Sequence, residues 1–139
     1  MHPQPLAYRD HAFLESEEAR PIRILAEYLE PLQRFKAQFF RALAHPTRIR
    51  ILETLVRGGR TVQELQDELA LEQPIVSQQL AVLRHQGIVS TQKEGSSVRY
   101  ALRDPLVGAL LDVARRIFNN RLGDSQGLLR ELRRESRRA

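Results

Sequence analysis

The sequence predicts a mainly α fold with one small β element, an α+β chain. Three observations carry that prediction. Apolar residues recur at helical spacing in successive runs broken by proline and glycine. The stretch Ile88–Leu102 alternates around a polar turn, Glu94-Gly95-Ser96-Ser97, as a β-hairpin does. Residues 61–86 read as two short helices joined by a tight turn, the second with a polar outer face.

At 139 residues the chain is one domain with extensions, and its 42% hydrophobic and 28% charged residues are those of an ordinary globular protein. No apolar run approaches the roughly 18 residues of a membrane span, and Met1–Asp10 lacks a signal peptide's apolar centre. The expected location is therefore the cytosol, with no membrane partner. The absence of cysteine excludes disulfides, thiolate metal ligands and thiol redox switching. The net charge of +5 is unevenly spread: residues 1–31 carry three basic and six acidic side chains, and the remainder carries 19 and 11. A body at +8 suits a polyanionic partner, although a solvated arginine-rich surface reads the same way.

Taken in order, Met1 to about His11 has prolines at 3 and 5 and no periodicity, and reads as a flexible arm. From about Ser16 to Glu30, Ile22, Leu25 and Leu29 mark an extra amphipathic helix, with Pro21 in its first turn and Pro31 ending it. Leu32, Phe35, Phe39, Phe40 and Leu43 then form the stripe of a further helix, which holds three of the five phenylalanines. That surplus of aromatics suits burial against a second subunit as well as ordinary core packing. His45-Pro46-Thr47 breaks the chain before a helix expected to bury Ile51, Leu52, Leu55 and Val56 and to stop at Gly58-Gly59.

Thr61-Val62-Gln63-Glu64 is a capping box opening a short helix with Val62, Leu65 and Leu69 inward. A turn at Ala70–Glu72 leads to the next helix, EQPIVSQQLAVLRHQGIV, where Val76, Leu80 and Leu83 face the core and Gly87 is a left-handed stop. Its outer face at the start carries Pro74, Ile75, Ser77, Gln78 and Ala81. Short side chains that both donate and accept hydrogen bonds suit base edges in a major groove, so this is a candidate recognition helix. A strand Ile88–Lys93 and a second with Val98, Tyr100 and Leu102 inward make a hairpin wing, with Lys93 and an outward Arg99 placed for phosphate. Asp104-Pro105 starts the last helix, carrying Leu106, Leu110, Ala114, Ile117 and Phe118 past Arg121. Gly123 and Gly127 interrupt it, and RRESRRA reads as a frayed basic tail. The whole is a winged helix-turn-helix divided as 1–31 arm and helix, 32–122 binding and dimerisation domain, and 123–139 extension.

Three of these runs carry a family resemblance: LAHPTRIRILETL (Leu43–Leu55), VSQQLAVLRHQGIV (Val76–Val89) and VRYAL (Val98–Leu102). In that order and spacing the chain, over roughly residues 32–120, resembles the ArsR/SmtB-type winged-helix repressors. The resemblance implies a homodimer built from the first and last helices of the domain, through Leu32, Phe35, Phe39, Leu106, Leu110, Ile117 and Phe118. It implies double-stranded DNA with an inverted-repeat operator as the partner. By motif position Gln73, Ser77 and Gln78 reach base edges or nearby phosphates, with Arg84 behind them, and Arg99 in the wing reaches phosphate or the minor groove.

Two departures stand out against that family. Glu72 takes the place of a serine or other good cap, which suits the helix dipole but sets a negative charge near DNA. Ile75 replaces a small polar residue and is matched to a thymine methyl. Relatives that sense metals use cysteines, or His and carboxylates on the last helix; here Leu106–Leu122 offers only Asp112. His45 reads as a structural hydrogen-bonding residue, and His85 as solvated or facing phosphate. His2 and His11 could ligate a metal only with groups from elsewhere. No cofactor is expected, and no catalytic site: the serines lack a nucleophile-elbow context, and Asp67-Glu68 is the solvated face of a helix. The function expected is a DNA-binding repressor. The alternatives are a winged-helix module that binds a protein and a histidine-based metal sensor, while an organic effector, a protein effector or none stay open.

Overall fold

The structure is a computed structural model that describes residues 12–138. The expected arm, with His2 and His11, lies outside the described residues. Two compact units divide the chain, Met1–Leu43 and Ala44–Ala139.

In the first unit a short 3-10 turn, Glu17–Ala19, leads into one long helix, α1 (Arg20–Leu43). Arg23 Nη1 reaches back to the carbonyls of Leu14 and Ser16, which closes the entry turn onto the helix. Pro31 lies inside α1 and does not end it, contrary to the sequence expectation. An internal proline removes one backbone hydrogen bond and costs about 3 kcal/mol. Here the apolar stripe Ile22, Leu25, Leu29, Leu32, Phe35, Phe39, Leu43 keeps its three-and-four spacing across the proline, and both flanks are rich in Ala, Leu, Arg and Gln. Glu30 and Arg34, paired at 2.8 Å, staple the turn that contains it. The two predicted helices are therefore one.

The second unit is built from α2 (Pro46–Val56), β1 (Arg60–Thr61), α3 (Val62–Leu69), α4 (Gln73–His85), β2 (Val89–Glu94), β3 (Ser97–Leu102) and α5 (Leu106–Arg138). His45 caps α2, its Nδ1 accepting from the Thr47 N–H at 3.1 Å, with Pro46 next in line as the first helical residue. The core is formed by Ile51, Leu52 and Leu55 of α2, Leu65 of α3, Val76, Leu80 and Leu83 of α4, and Ile88 and Val89 leading into β2. Val56 is 49% exposed and not buried as expected, whereas Thr54, two residues earlier and on the other side of the helix, is buried with its hydroxyl on the Arg50 carbonyl at 3.0 Å. Val56 instead lies over Gly108 of α5, where an added Cβ would come within 3.2 Å of its side chain.

The capping box of α3 is complete: Thr61 Oγ1 accepts from the Glu64 N–H at 3.2 Å, and the Glu64 carboxylate reaches back to the Thr61 N–H at 3.4 Å. Replacing Thr61 with alanine is expected to cost about 1 kcal/mol of stability, measured by urea denaturation. These hydrogen bonds, first the one from the Thr61 backbone, hold the Glu64 carboxyl below the usual carboxylate range. Because the folded state prefers the charged form, its contribution is complete above that range and is lost as the pH falls through the lowered value.

The turn into α4 passes through Ala70 at φ 53°, a left-handed conformation that glycine or asparagine would adopt more readily. Gly87, at φ 71°, ends α4 as expected. The wing is larger than a hairpin. β3 is the central strand of a three-stranded antiparallel sheet, order β1-β3-β2, with Arg60 opposite Tyr100 and Thr61 opposite Arg99. The alternation expected of Val98, Tyr100 and Leu102 is absent: every residue of β3 from Val98 on is half-buried. Asp104 caps α5 through the Leu106 N–H at 2.9 Å. α5 then runs unbroken for 33 residues through Gly123 and Gly127 to Arg138, so the tail is helical and not frayed. Two interior glycines cost about 1 kcal/mol each, but 128–138 is made of leucine, arginine and glutamate with a single serine, all but the serine strong helix formers.

Candidate nucleic-acid interface

The recognition helix α4 begins with its polar face outward because Val76, Leu80 and Leu83 anchor the other side completely. Gln73 and Gln78 are exposed, Ser77 is half-buried, and Ile75 is an exposed apolar residue among them. Gln73 Nε2 donates to Ser77 Oγ at 2.8 Å, one turn apart, so the two side chains are pre-aligned along the helix. Glu72 makes no side-chain cap; its carbonyl accepts from Ile75 and Val76 in the ordinary way. Gln79 is drawn away from this face, its Oε1 accepting from Arg48 Nη1 at 3.0 Å.

At its far end α4 presents Arg84 and His85, both exposed. With Ser77, Ala81 and Tyr100 they line an open cleft of about 500 Å³ between the helix and the sheet. Period-two alternation assigns Tyr100 inward, whereas in the structure it is half-buried and lines this cleft. Lys93, on β2 opposite Val98, is exposed near the wing tip.

Arg99 does not point outward as expected. Its guanidinium donates to Glu94 Oε2 (3.0 Å), to the Gly59 carbonyl (2.7 Å) and to Glu64 Oε1 (3.4 Å). The side chain crosses Gly59, where a Cβ would lie 3.1 Å from its Cγ and Cδ. Two of these partners, Gly59 and Glu64, lie forty and thirty-five residues away in the chain, so no local pattern announces them.

Of the candidate interface residues, Leu32 and Phe39 of α1 are half-buried and Phe35 is 60% exposed, its ring stacked on Phe39 at 5.8 Å. On α5 Leu110 is half-buried, while Leu106, Ile117 and Phe118 are 71%, 51% and 60% exposed. Phe118, Leu111 and Gly108 line a groove of about 400 Å³ against Ile49 and Val56 of α2, rimmed by Glu53, Asp112 and Arg115. A hydrogen bond from Arg115, at 2.6 Å, holds the Asp112 carboxyl below the usual carboxylate range, with Arg116 at 2.9 Å on its other oxygen. Among the described residues no three His, Asp or Glu side chains converge as a metal site, and no helix is long and apolar enough to cross a membrane.

Residues 45–91 match the family described as bacterial regulatory protein, arsR family. The chain is 45% identical over 105 residues to the HTH-type transcriptional regulator Rv0081 of Mycobacterium tuberculosis, covering 75% of this chain and 92% of that one. The crystal structure of M. tuberculosis Rv0081 superposes with a TM-score of 0.62 over 68% of this chain and 95% of its own. The transcriptional repressor BigR from Xylella fastidiosa is 34% identical with a TM-score of 0.60, over 67% and 95% of the two chains. A winged helix-turn-helix domain from Mycobacterium bovis, Mb0332, described as homodimeric, is 25% identical with a TM-score of 0.61, over 67% and 86%.

Proposed function

From the premise that the chain belongs to the ArsR family of DNA-binding transcriptional regulators, we propose that it acts in the cytoplasm as a homodimeric repressor of an inverted-repeat operator. The observation that carries this reading is α4: a fully anchored helix whose free face is Gln73, Ile75, Ser77 and Gln78. Gln78 and Ser77 read base edges, Ile75 packs on a thymine methyl, and Arg84 and Lys93 contact phosphate. The names of two similar proteins support the finer points, one a repressor and one homodimeric. The exposed apolar residues of α1 and α5 are the surfaces such a dimer would cover, and two-fold symmetry then spaces the recognition helices about one DNA turn apart.

The test is selection of bound fragments from genomic DNA with purified protein, repeated with chelator and with added zinc. An inverted repeat recovered equally in all three conditions is the expected result. Recovery only with metal would point to the histidine-based sensor, and no enrichment at low salt to a protein partner. On the recovered operator, Gln78→Ala is expected to cost about 1–3 kcal/mol at particular base pairs and little elsewhere. A loss spread evenly over all sequences would remove Gln78 from the base-reading set.

A further inference from the structure

Arg99 is held by three elements at once. Glu94 at the end of β2 takes its Nε, the Gly59 carbonyl just before β1 takes Nη1, and Glu64 in the first turn of α3 lies against Nη2. Glu64 is in turn the second half of the α3 capping box. The side chain is only 33% exposed, and Gly59 has no Cβ to obstruct it. Arginine suits this place because its planar fork offers donors in several fixed directions, which the single ammonium of lysine does not.

The charge count points the same way. Arg99 pairs with Glu64 and Glu94. The neighbouring Arg60, which also acts on Glu64, is paired with Glu68 at 2.6 Å beside Arg57. Three guanidiniums face three carboxylates, so this cluster has no surplus positive charge to lend to a phosphate. If Arg99 swung out to DNA, Glu94 would lose the guanidinium it is paired with and lie as a bare carboxylate beside a polyanion. We propose that Arg99 is a positioning residue that ties the wing to the start of α3 and so sets the wing's angle to the recognition helix, without touching DNA. The proposal deepens the DNA-binding reading and rests on it.

The two roles predict opposite signs for a change at Glu94. On electrostatics alone, Glu94→Gln removes a negative charge near DNA and should tighten binding. As part of the tie, its loss should loosen the wing and weaken operator binding by about two- to five-fold. Glu94 sits at the wing tip outside the core and the capping box, so this variant is expected to fold; its melting curve checks that.

The measurement is operator affinity of the full chain across a salt series for wild type, Glu94→Gln, Arg99→Gln and Arg99→Lys, with footprints on the same fragment. The expected result is weaker binding by all three variants and an unchanged slope of log affinity against log salt. Footprint protection should be lost at the outer positions next to the wing and kept under the recognition helices. A lost phosphate contact would instead lower the slope by about one for Arg99→Gln, with rescue by lysine. That outcome, tighter binding by Glu94→Gln, or unchanged affinity in both glutamine variants would overturn the proposal. If wild type itself retains no DNA at low salt, the functional reading fails first and the tie falls with it.

Discussion

Replacing Leu80 with alanine is expected to destabilise the protein by about 2–5 kcal/mol, the range for deleting a leucine from a packed core. Leu80 is fully buried in the middle of α4, flanked one turn either way by Val76 and Leu83, which are equally inaccessible. The cavity would open directly under the face that carries Ser77 and Gln78. Two consequences separate in experiment. Urea denaturation should show a lower midpoint with an unchanged slope, because the surface exposed on unfolding is nearly the same. DNA affinity at low temperature, where the variant is still folded, should fall much less than stability does. A Leu80→Ala protein as stable as wild type would mean that α4 is not anchored as described.

The second large effect concerns assembly. Phe118→Glu places a charge on the exposed apolar side of α5, beside Ile117 and Leu122. If that side meets a second copy, burying an unpaired carboxylate there should dissociate the dimer, as sedimentation would show. The two half-sites would then be bound independently, and operator affinity should drop by about 10²- to 10⁴-fold, the gain that linking two binding modules ordinarily supplies. Because Phe118 is already 60% exposed on the single chain, the fold itself should tolerate the change. A variant that stays dimeric and binds its operator normally would move the interface off this part of α5.

Much of the architecture was legible because it rests on local chemistry. The Thr61–Glu64 box, the His45 cap, the Gly87 stop and the stripe Val76–Leu80–Leu83 each need only a few neighbouring residues to be recognised, and each stands where the sequence puts it. What escaped depends on partners distant in the chain or on competition between local effects. Proline argues for a break at residue 31, yet the stripe on both sides stays in phase and the helix continues. Val56 looks like core by spacing, but its neighbours come from α5, and Gly108 takes its contact. Arg99 alternates outward when the hairpin is read alone, and its half-buried place depends on Gly59 and Glu64, forty and thirty-five residues away. On α4 the polar face itself could be read in advance, since it follows from the helical period alone.

The two-residue strand β1 also governs the order in which the molecule can assemble. Its partner, β3, lies forty residues further along, Gly59 meeting Arg99, whereas β2 and β3 are joined by a tight turn. Closing a loop of that length costs about 3 kcal/mol of chain entropy, and two residues of ladder do not recover it. The helices and the hairpin must therefore form and collapse first, with the third strand added after the core has brought its ends together. Substitutions at Leu52, Leu65 or Leu80 should then slow folding, while those at Arg60, Thr61 and Arg99 should mainly speed unfolding.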